Sequence, residues 1–195
     1  SLYRITTNMN IKSFYGLAVV GLFVCSCQSD SYKVQGFAHD FAEGDTIFLK
    51  ASDNSSQVCY TLIEDGKFYF MGKADDVTLH EIYASSDPEE SISFFNVPGT
   101  TTVELNRKPK PSRISGTTVN NSWQQLADSI DYYASQMEIL LRMPSNDTIS
   151  IRQRTLAVDS LHRQMSDCIL RTAARNKNNP LGKYIQANYK APEFK

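Results

Sequence analysis

Cysteine and histidine are the side chains of this 195-residue chain that are best suited to nucleophilic, redox or metal chemistry. Cys59 and Cys168 lie far apart, in segments of different type, so the sequence leaves open whether they pair. Two buried, inert thiols are the default expectation. The histidines His39, His80 and His162 form neither an i, i+4 pair nor a Cys-His ligand pattern. We therefore predict no metal site and no cofactor.

No short motif in the sequence assembles a catalytic centre. The chain has no Cys-x-x-Cys pair, no Gly-x-Ser-x-Gly elbow and no phosphate-binding glycine loop. The run from Asp87 to Glu90 lacks the alternating oxygen ligands of a calcium loop, and we predict a charged turn. The basic run from Arg107 to Lys110 is short and contains a proline, and the net charge is -1, so nucleic acid is not an expected partner. We predict that this chain is not an enzyme.

The start of the chain has the layout of a secretory signal. Lys12 precedes an apolar run from Phe14 to Cys25, and this run is shorter than the roughly 20 residues of a transmembrane helix. Met9 is the natural start of such a signal. We predict a signal peptide over residues 1–26.

The end of this signal resembles the bacterial lipobox. An aliphatic residue lies three positions before Cys27, and a small residue comes directly before it. The resemblance implies that Cys27 is lipidated, becomes the mature N-terminus and anchors the chain in a membrane through a tether over residues 27–31. We therefore expect a lipoprotein of the cell envelope that faces the periplasm rather than the cell surface.

Residues 32–117 have the pattern of short strands separated by turns. The clearest hairpin has Asp65 and Gly66 at its turn, since this pair tolerates the positive φ angles of a tight turn. Pro98 and Gly99 mark another turn between two apolar strands. Short strands at this spacing predict an antiparallel β-sandwich or an open barrel.

After Gly116 the apolar residues recur every three or four positions, which predicts helices. The predicted inward-facing stripes are Trp123, Leu126, Ile130, Tyr133, Met137 and Leu140 on the first helix and Val158, Leu161, Met165, Cys168 and Thr172 on the second. Asn121 and Gln124 have the spacing of a capping box at the start of the first helix. The second helix follows Asp147, and the short connection predicts that the two pack antiparallel. Residues 118–190 are thus expected to be a helical hairpin or linker region, and residues 191–195 a tail. The predicted fold class is α+β, mainly β.

These segments, in this order, resemble the DUF4369-type β domain of Bacteroidetes lipoproteins, which a helical linker and a thioredoxin-like domain usually follow. The resemblance rests on the strand and turn motifs Tyr32–Gly36, Gly44–Leu49, Asp65–Gly72, Phe94–Gly99, Thr102–Leu105 and Ile114–Thr117. It implies a non-catalytic accessory module with a thioredoxin-like domain or another envelope protein as partner. The Cys-x-x-Cys pair that performs disulfide chemistry in the full architecture is absent from these residues.

Two other functions remain open at this point. A thiol-dependent redox enzyme would use Cys59 or Cys168, and it requires an exposed thiol with a lowered pKa. A purely structural lipoprotein would need no partner. The sequence alone does not identify the ligand or the oligomeric state.

Two surface features complete the predictions. The aromatic residues Phe68, Tyr69, Phe70, Phe94 and Phe95 form a candidate interaction surface. Alternation places Phe68 and Phe70 on one face of their strand, and we expect one aromatic face to be core and the other to receive the chain's own helices. The sequence around Thr148 resembles a short O-glycosylation motif of Bacteroidetes envelope proteins.

Overall fold

The computed structural model describes residues 30–51, 58–144 and 148–190. Within them the chain forms eight strands and three helices. The strands are β1 (Ser31–Phe37), β2 (Thr46–Ala51), β3 (Val58–Leu62), β4 (Lys67–Lys73), β5 (Leu79–Ala84), β6 (Asp87–Phe95), β7 (Gly99–Glu104) and β8 (Arg113–Ser115). The helices are α1 (Thr118–Arg142), α2 (Thr148–Arg175) and α3 (Pro180–Asn188).

The strands form two four-stranded sheets that pack face to face. One sheet has the order β4-β1-β7-β8, and the other has the order β3-β2-β5-β6. All neighbouring strands are antiparallel except β1 and β7, which pair in parallel with Tyr32 opposite Gly99. The predicted sandwich and the α+β class are confirmed, although helices rather than strands hold more of the described residues, and the parallel pair was not predicted.

The strand boundaries follow the turn residues, with one exception. Asp65 and Gly66 have φ angles of 51° and 68°, as the predicted hairpin turn requires. The predicted charged turn from Asp87 to Glu90 is wrong, because these residues are the first part of β6 and the turn precedes them. Pro88 is tolerated there because β6 is an edge strand, where a missing N–H removes no ladder bond from the sheet interior.

The helices form a hairpin with α3 packed at its open end. The apolar stripe predicted on α1 faces inward, with Leu126 and Met137 buried. On α2 the most buried apolar residues are Ile169 and Ala173, so the buried stripe lies to one side of the predicted one. The start of α1 and the end of α2 share one core, as an antiparallel pair must.

The predicted capping box at Asn121 is wrong. The N-cap of α1 is Thr117, whose side chain accepts a hydrogen bond from the N–H of Asn120. Asn121 and Gln124 instead accept hydrogen bonds from the backbone N–H groups of Gly116 and Ile114. Both side chains therefore fasten the helix to β8 and the loop after it.

Two hydrophobic cores meet at the end of β6. Phe94 is fully buried between the two sheets, in the core of the sandwich. Phe95, the next residue, is buried in a second core made with the three helices. Because consecutive strand residues point to opposite faces, β6 supplies a phenylalanine to each core.

Candidate functional site

The candidate site is a cleft between the β domain and α3, which we call the junction cleft. Its volume is about 680 Å³, which lies within the range of about 300–1,000 Å³ typical of small-ligand pockets. The residues that line it are Asp76, Val77, Thr78, Leu79, Phe95, Pro180, Lys183, Tyr184, Ala187 and Asn188. The sandwich supplies one wall and α3 supplies the other.

Three aromatic rings form the floor and support of the junction cleft. Phe95, Trp123 and Tyr184 contact one another edge to face, with ring centroids 5.7–5.9 Å apart. The indole N–H of Trp123 donates a hydrogen bond of 3.0 Å to the carbonyl oxygen of Ser93 in β6. The cluster therefore joins β6, α1 and α3, one residue from each.

Two buried asparagines fix the β wall of the junction cleft. The Asn120 side chain accepts from the N–H of Phe95 at 2.7 Å and donates to the Phe95 carbonyl at 2.9 Å. Asn96 accepts from the N–H of Thr78 at 2.7 Å and donates to the carbonyl of Asp76 at 3.0 Å. Because these bonds hold the backbone of both β segments, the cleft is a preformed feature of the fold.

The rim of the junction cleft is polar while its floor is apolar. Asp76, Lys183 and Asn188 are exposed at the rim, whereas Leu79 and Phe95 are buried beneath them. A carboxylate and an ammonium group on opposite walls can bind the donors and acceptors of a polypeptide backbone, while the floor accepts an apolar side chain. This arrangement suits binding, and it contains no nucleophile paired with a base.

Sequence reasoning did not predict the junction cleft, because its residues come from two distant segments. The sequence does contain a local signal for the wall formed by α3. Asn179 caps α3 by accepting from the N–H of Gly182, and Pro180 occupies the first turn. Leu181 and Ile185, four residues apart, are both buried and dock the helix. The partner segment around Asp76 carries no comparable pattern.

The aromatic surface predicted from the sequence is mostly core. Phe68, Phe70, Phe94 and Phe95 are buried, and Tyr69 alone of the five is exposed. The predicted alternation is confirmed, since Phe68 and Phe70 face the sandwich core while Tyr69 faces outward. These four phenylalanines cannot form an open surface, because the sandwich and the helices cover them. The expectation that the chain's own helices cover the other face of this strand is wrong, because Tyr69 stays exposed there; the helices contact Phe95 instead.

Tyr69 belongs to a second, shallower groove on the outer face of its sheet. The groove has a volume of about 580 Å³ and is lined by Lys33, Gln35, Tyr69, Met71 and Thr100, with parts of Val34 and Phe70. Tyr69 is 56% exposed and Met71 is 73% exposed. These side chains are the uncovered part of the predicted aromatic surface.

The two cysteines within the described residues are free thiols. Cys168 is partly buried on α2. The expectation that Cys59 is buried is wrong, because β3 is an edge strand and leaves this thiol exposed. Cys59 lies close enough to Tyr32 to affect its ionisation: burial raises the pKa of the Tyr32 phenol, and the charge of the Cys59 thiolate raises it further.

The histidines lie in three different environments. The ring of His80 is 5.9 Å from the ring of Tyr32 and 5.8 Å from that of Phe94. His39 contacts Phe37, and His162 is exposed on α2. In the described part of the chain, no three histidine, cysteine or acidic side chains are grouped so as to hold a metal ion.

A polar cluster surrounds Asp45, away from the junction cleft. Its carboxylate accepts hydrogen bonds from the hydroxyls of Ser85, at 2.7 Å, and Ser86, and from the N–H of Thr46 at 2.8 Å. Partial burial opposes ionisation of Asp45, but these hydrogen bonds and the positive charge of Arg107 outweigh it. The pKa of Asp45 is therefore lowered below its ordinary value.

Several predictions concern residues outside the described ranges. These are the signal peptide over residues 1–26, the lipidated Cys27 with most of its tether, and the tail over residues 191–195. Thr148 is the first residue of α2, but its side chain lies outside the described part. Among the residues that the structure does describe, none of the helices has the length and apolar character needed to cross a bilayer.

Comparison with known proteins identifies one domain. Residues 32–123 match the family described as Domain of unknown function (DUF4369). The match covers both sheets and the first turns of α1, including Asn120 and Trp123, and it ends before α2 and α3. No curated protein matches the chain.

Proposed function

Because residues 32–123 are a DUF4369 domain, we propose that this chain is a non-catalytic binding module of the cell envelope. In this proposal Cys27 carries the lipid that anchors it, and the module faces the periplasm. It serves as the N-terminal accessory part of a thioredoxin-like disulfide reductase system, and it holds a partner domain or protein in place rather than reacting itself.

The observation that carries the binding role is the junction cleft. It has an apolar floor and a polar rim, and it is of ligand-binding size. Ala187 and Asn188, at the end of α3, form one of its edges. A thioredoxin-like domain that followed α3 along the chain would start beside the cleft, so one of its apolar segments would reach the floor without a long linker.

The position of the chain's first described residue agrees with an anchored module. The carbonyl of Asp30 accepts a hydrogen bond from the N–H of Ala74, which fixes the start of β1 beside the segment that leads to Asp76. A tether from Cys27 would therefore enter on the side of the sandwich that carries the junction cleft. Whatever the cleft binds would be held near the membrane.

The first experiment is the intact mass of the native protein after detergent extraction from its own cell envelope. A mass that contains acyl chains on Cys27 supports the anchor, and a further domain beyond residue 195 supports the reductase assembly. An unmodified mass that retains residues 1–26 would contradict the envelope module.

A second experiment tests the junction cleft itself. A photo-crosslinking residue at Ala187, inside the cleft, should crosslink to a thioredoxin-like domain or protein in the native envelope. Gln186 is the matched control because it is also exposed on α3 but does not line the cleft. Equal crosslinking from both positions would contradict binding in the cleft.

One observation favours a second function, a thiol-dependent redox enzyme: Cys59 is exposed. The test is the rate of alkylation of the folded protein as a function of pH. A thiol that reacts fully below its ordinary pKa of about 8.5 would favour the redox function. Ordinary reactivity at Cys59 would favour the binding module.

A further inference from the structure

The edge strand β3 is exposed on both of its faces. Each of the other seven strands contains at least one buried residue, whereas β3 contains none. Val58, Tyr60 and Leu62 are 44%, 71% and 47% exposed. On one side β3 pairs with β2. On its other side no strand in the described part of the chain pairs with it.

The hydrogen bonds next to β3 show which of its backbone groups face this open side. The N–H of Ile63 donates to the carbonyl of Asp45, and the carbonyl of Ile63 accepts from the N–H of Gly44. Both groups of Ile63 therefore point toward the β2 side. Backbone groups of alternate residues in a strand point the same way, so those of Thr61 and Cys59 also face β2. The residues whose N–H and carbonyl groups point to the open side are Val58, Tyr60 and Leu62.

The other edges of the two sheets are protected in ways that β3 is not. β6 begins with a proline among three acidic residues, and Asn120 bonds to its backbone at Phe95. Gln124 of α1 bonds to the backbone of β8, and β4 begins and ends with a lysine. Charges, proline and covering elements are the usual means by which edge strands avoid pairing with another chain. Val58–Leu62 contains no charged residue, no proline and no glycine.

The sequence of β3 is complementary to itself in the antiparallel direction. With Tyr60 opposite Tyr60 of a second copy, Val58 lies opposite Leu62. Each outward N–H group then meets an outward carbonyl of the other copy, because these residues are two apart and Tyr60 is central. Cys59 lies opposite Thr61 in the same register. Since β3 is uncharged, no pair brings like charges together.

A row of aromatic side chains on the outer face of the sheet ends at Tyr60. Tyr83 of β5 lies opposite Phe48 of β2, and their rings stack with centroids 5.4 Å apart. Phe48 in turn lies opposite Tyr60 of β3. A copy that pairs at Tyr60 continues this row with its own Tyr60, and aromatic pairs across strands stabilise a sheet. This continuity favours a second copy over an unrelated extended segment.

We propose that β3 is a self-association edge, at which two copies of this chain pair their β3 strands antiparallel about a two-fold axis at Tyr60. Such a contact is isologous, because each copy offers the same strand to the other. It joins two four-stranded sheets into one sheet of eight strands. The assembly ends at two copies, since both outer edges of the joined sheet are protected β6 strands. The contact is one strand long, so the dimer is a weak one.

The first test is sedimentation equilibrium of the full chain in a density-matched detergent over a range of concentrations. The expected result for the native sequence is a monomer–dimer equilibrium. Tyr60→Lys places two ammonium groups directly opposite each other and should raise the dissociation constant by at least about tenfold. Tyr69→Lys is the matched control and should leave the constant unchanged. Tyr69 is 56% exposed on the edge strand β4, and the same charge is added there.

The register of the paired strands has its own readout, which leaves Tyr60 intact. Copies with Cys59 as their only cysteine are mixed with copies whose only cysteine is Thr61→Cys, and a mild oxidant is added. Across the two strands these positions form a pair without hydrogen bonds, with Cα atoms about 4.5 Å apart, which a disulfide can bridge. Identical positions lie on the diagonal, about 7–8 Å apart. Disulfides should therefore form mainly between unlike copies.

Three results overturn the proposal. The first is a dimer that Tyr60→Lys weakens no more than Tyr69→Lys does. The second is a preference for disulfides between like copies. The third is a chain that stays monomeric up to about 1 mM. A monomer that pairs β3 with a strand of another protein belongs to the third result.

Discussion

Replacement of Asn120 by alanine should separate the helices from the β domain. Asn120 is fully buried and makes three hydrogen bonds, to the N–H and carbonyl of Phe95 and to the hydroxyl of Thr101 at 2.8 Å. Since β6 is an edge strand, the Asn120 amide takes the place that a neighbouring strand would occupy at Phe95. The alanine variant leaves both backbone groups and the hydroxyl buried without partners.

The magnitude follows from the number of orphaned groups. Each buried polar group that loses its partner costs about 1–3 kcal/mol, and three such groups predict a loss of about 3–9 kcal/mol. The whole free energy of unfolding of a domain is about 5–15 kcal/mol, so the variant would be marginally stable. With a urea dependence of about 2 kcal/mol per molar, the midpoint of unfolding should fall by at least about 1.5 M.

The assay is urea unfolding followed by the fluorescence of Trp123, the single tryptophan, and by circular dichroism. Asn121→Ala is the matched control, because Asn121 is exposed and makes one hydrogen bond, of 3.0 Å, to Gly116. This control should lose only about 0.5–1 kcal/mol. If Asn120→Ala lies within about 1 kcal/mol of the control, the account of Asn120 as a substitute strand is refuted.

Two further predictions concern the β domain. Gly36→Ala places a Cβ atom 2.1 Å from the buried ring of Phe68, so we expect the free energy of unfolding to fall by about 3 kcal/mol. Gly44→Ala is the control: its φ is 78° and no atom lies within 4 Å of the new Cβ, so it should lose only about 1 kcal/mol. Equal losses in thermal or urea unfolding would contradict the packing argument. Asp45→Asn should lower stability by about 1 kcal/mol at neutral pH, a value kept small by the solvent around the site. The pKa of Asp45 is lowered on folding, so its ionised carboxylate stabilises the fold at pH values above the ordinary carboxyl pKa. This stabilisation disappears as the pH falls through the lowered pKa. The difference between native and variant proteins should therefore vanish in acid, and a difference independent of pH would rule out this cause.

The elements that local chemistry determines could be predicted from the sequence. Asp65 and Gly66 predicted the hairpin because few other residue pairs tolerate its backbone angles. The apolar spacing on α1 predicted which residues face inward, and Leu126 and Met137 are buried accordingly. In both cases the signal lies within a few residues, so no knowledge of the tertiary structure was needed.

The features that tertiary contacts determine could not be predicted in this way. The parallel pairing of β1 with β7 joins segments more than sixty residues apart, and no local signal marks it. The helix start was misplaced because Asn121 has the residue type of a cap, although its side chain bonds to the loop before the helix. The exposure of Cys59 depends on β3 lying at the edge of its sheet, which a strand pattern does not reveal. The junction cleft was missed for the same reason, since its two walls are far apart in sequence.

The adjacent phenylalanines at the end of β6 raise the question of what prevents the strand from slipping. A shift by one residue normally moves every apolar side chain of a strand to the wrong face. Here a shift by one residue would keep a phenylalanine in one core but would bring Ser93 or Asn96 into the place of the other phenylalanine, so the slipped strand would bury a polar side chain. The hydrogen bonds between Asn120 and the backbone of Phe95, and from Trp123 to the carbonyl of Ser93, involve main-chain groups that every residue of the strand carries, so they hold the strand edge without selecting which residue lies there. The alignment of β6 is thus specified by the two phenylalanines, one for each core, and the helical hairpin secures the sheet edge on which it rests.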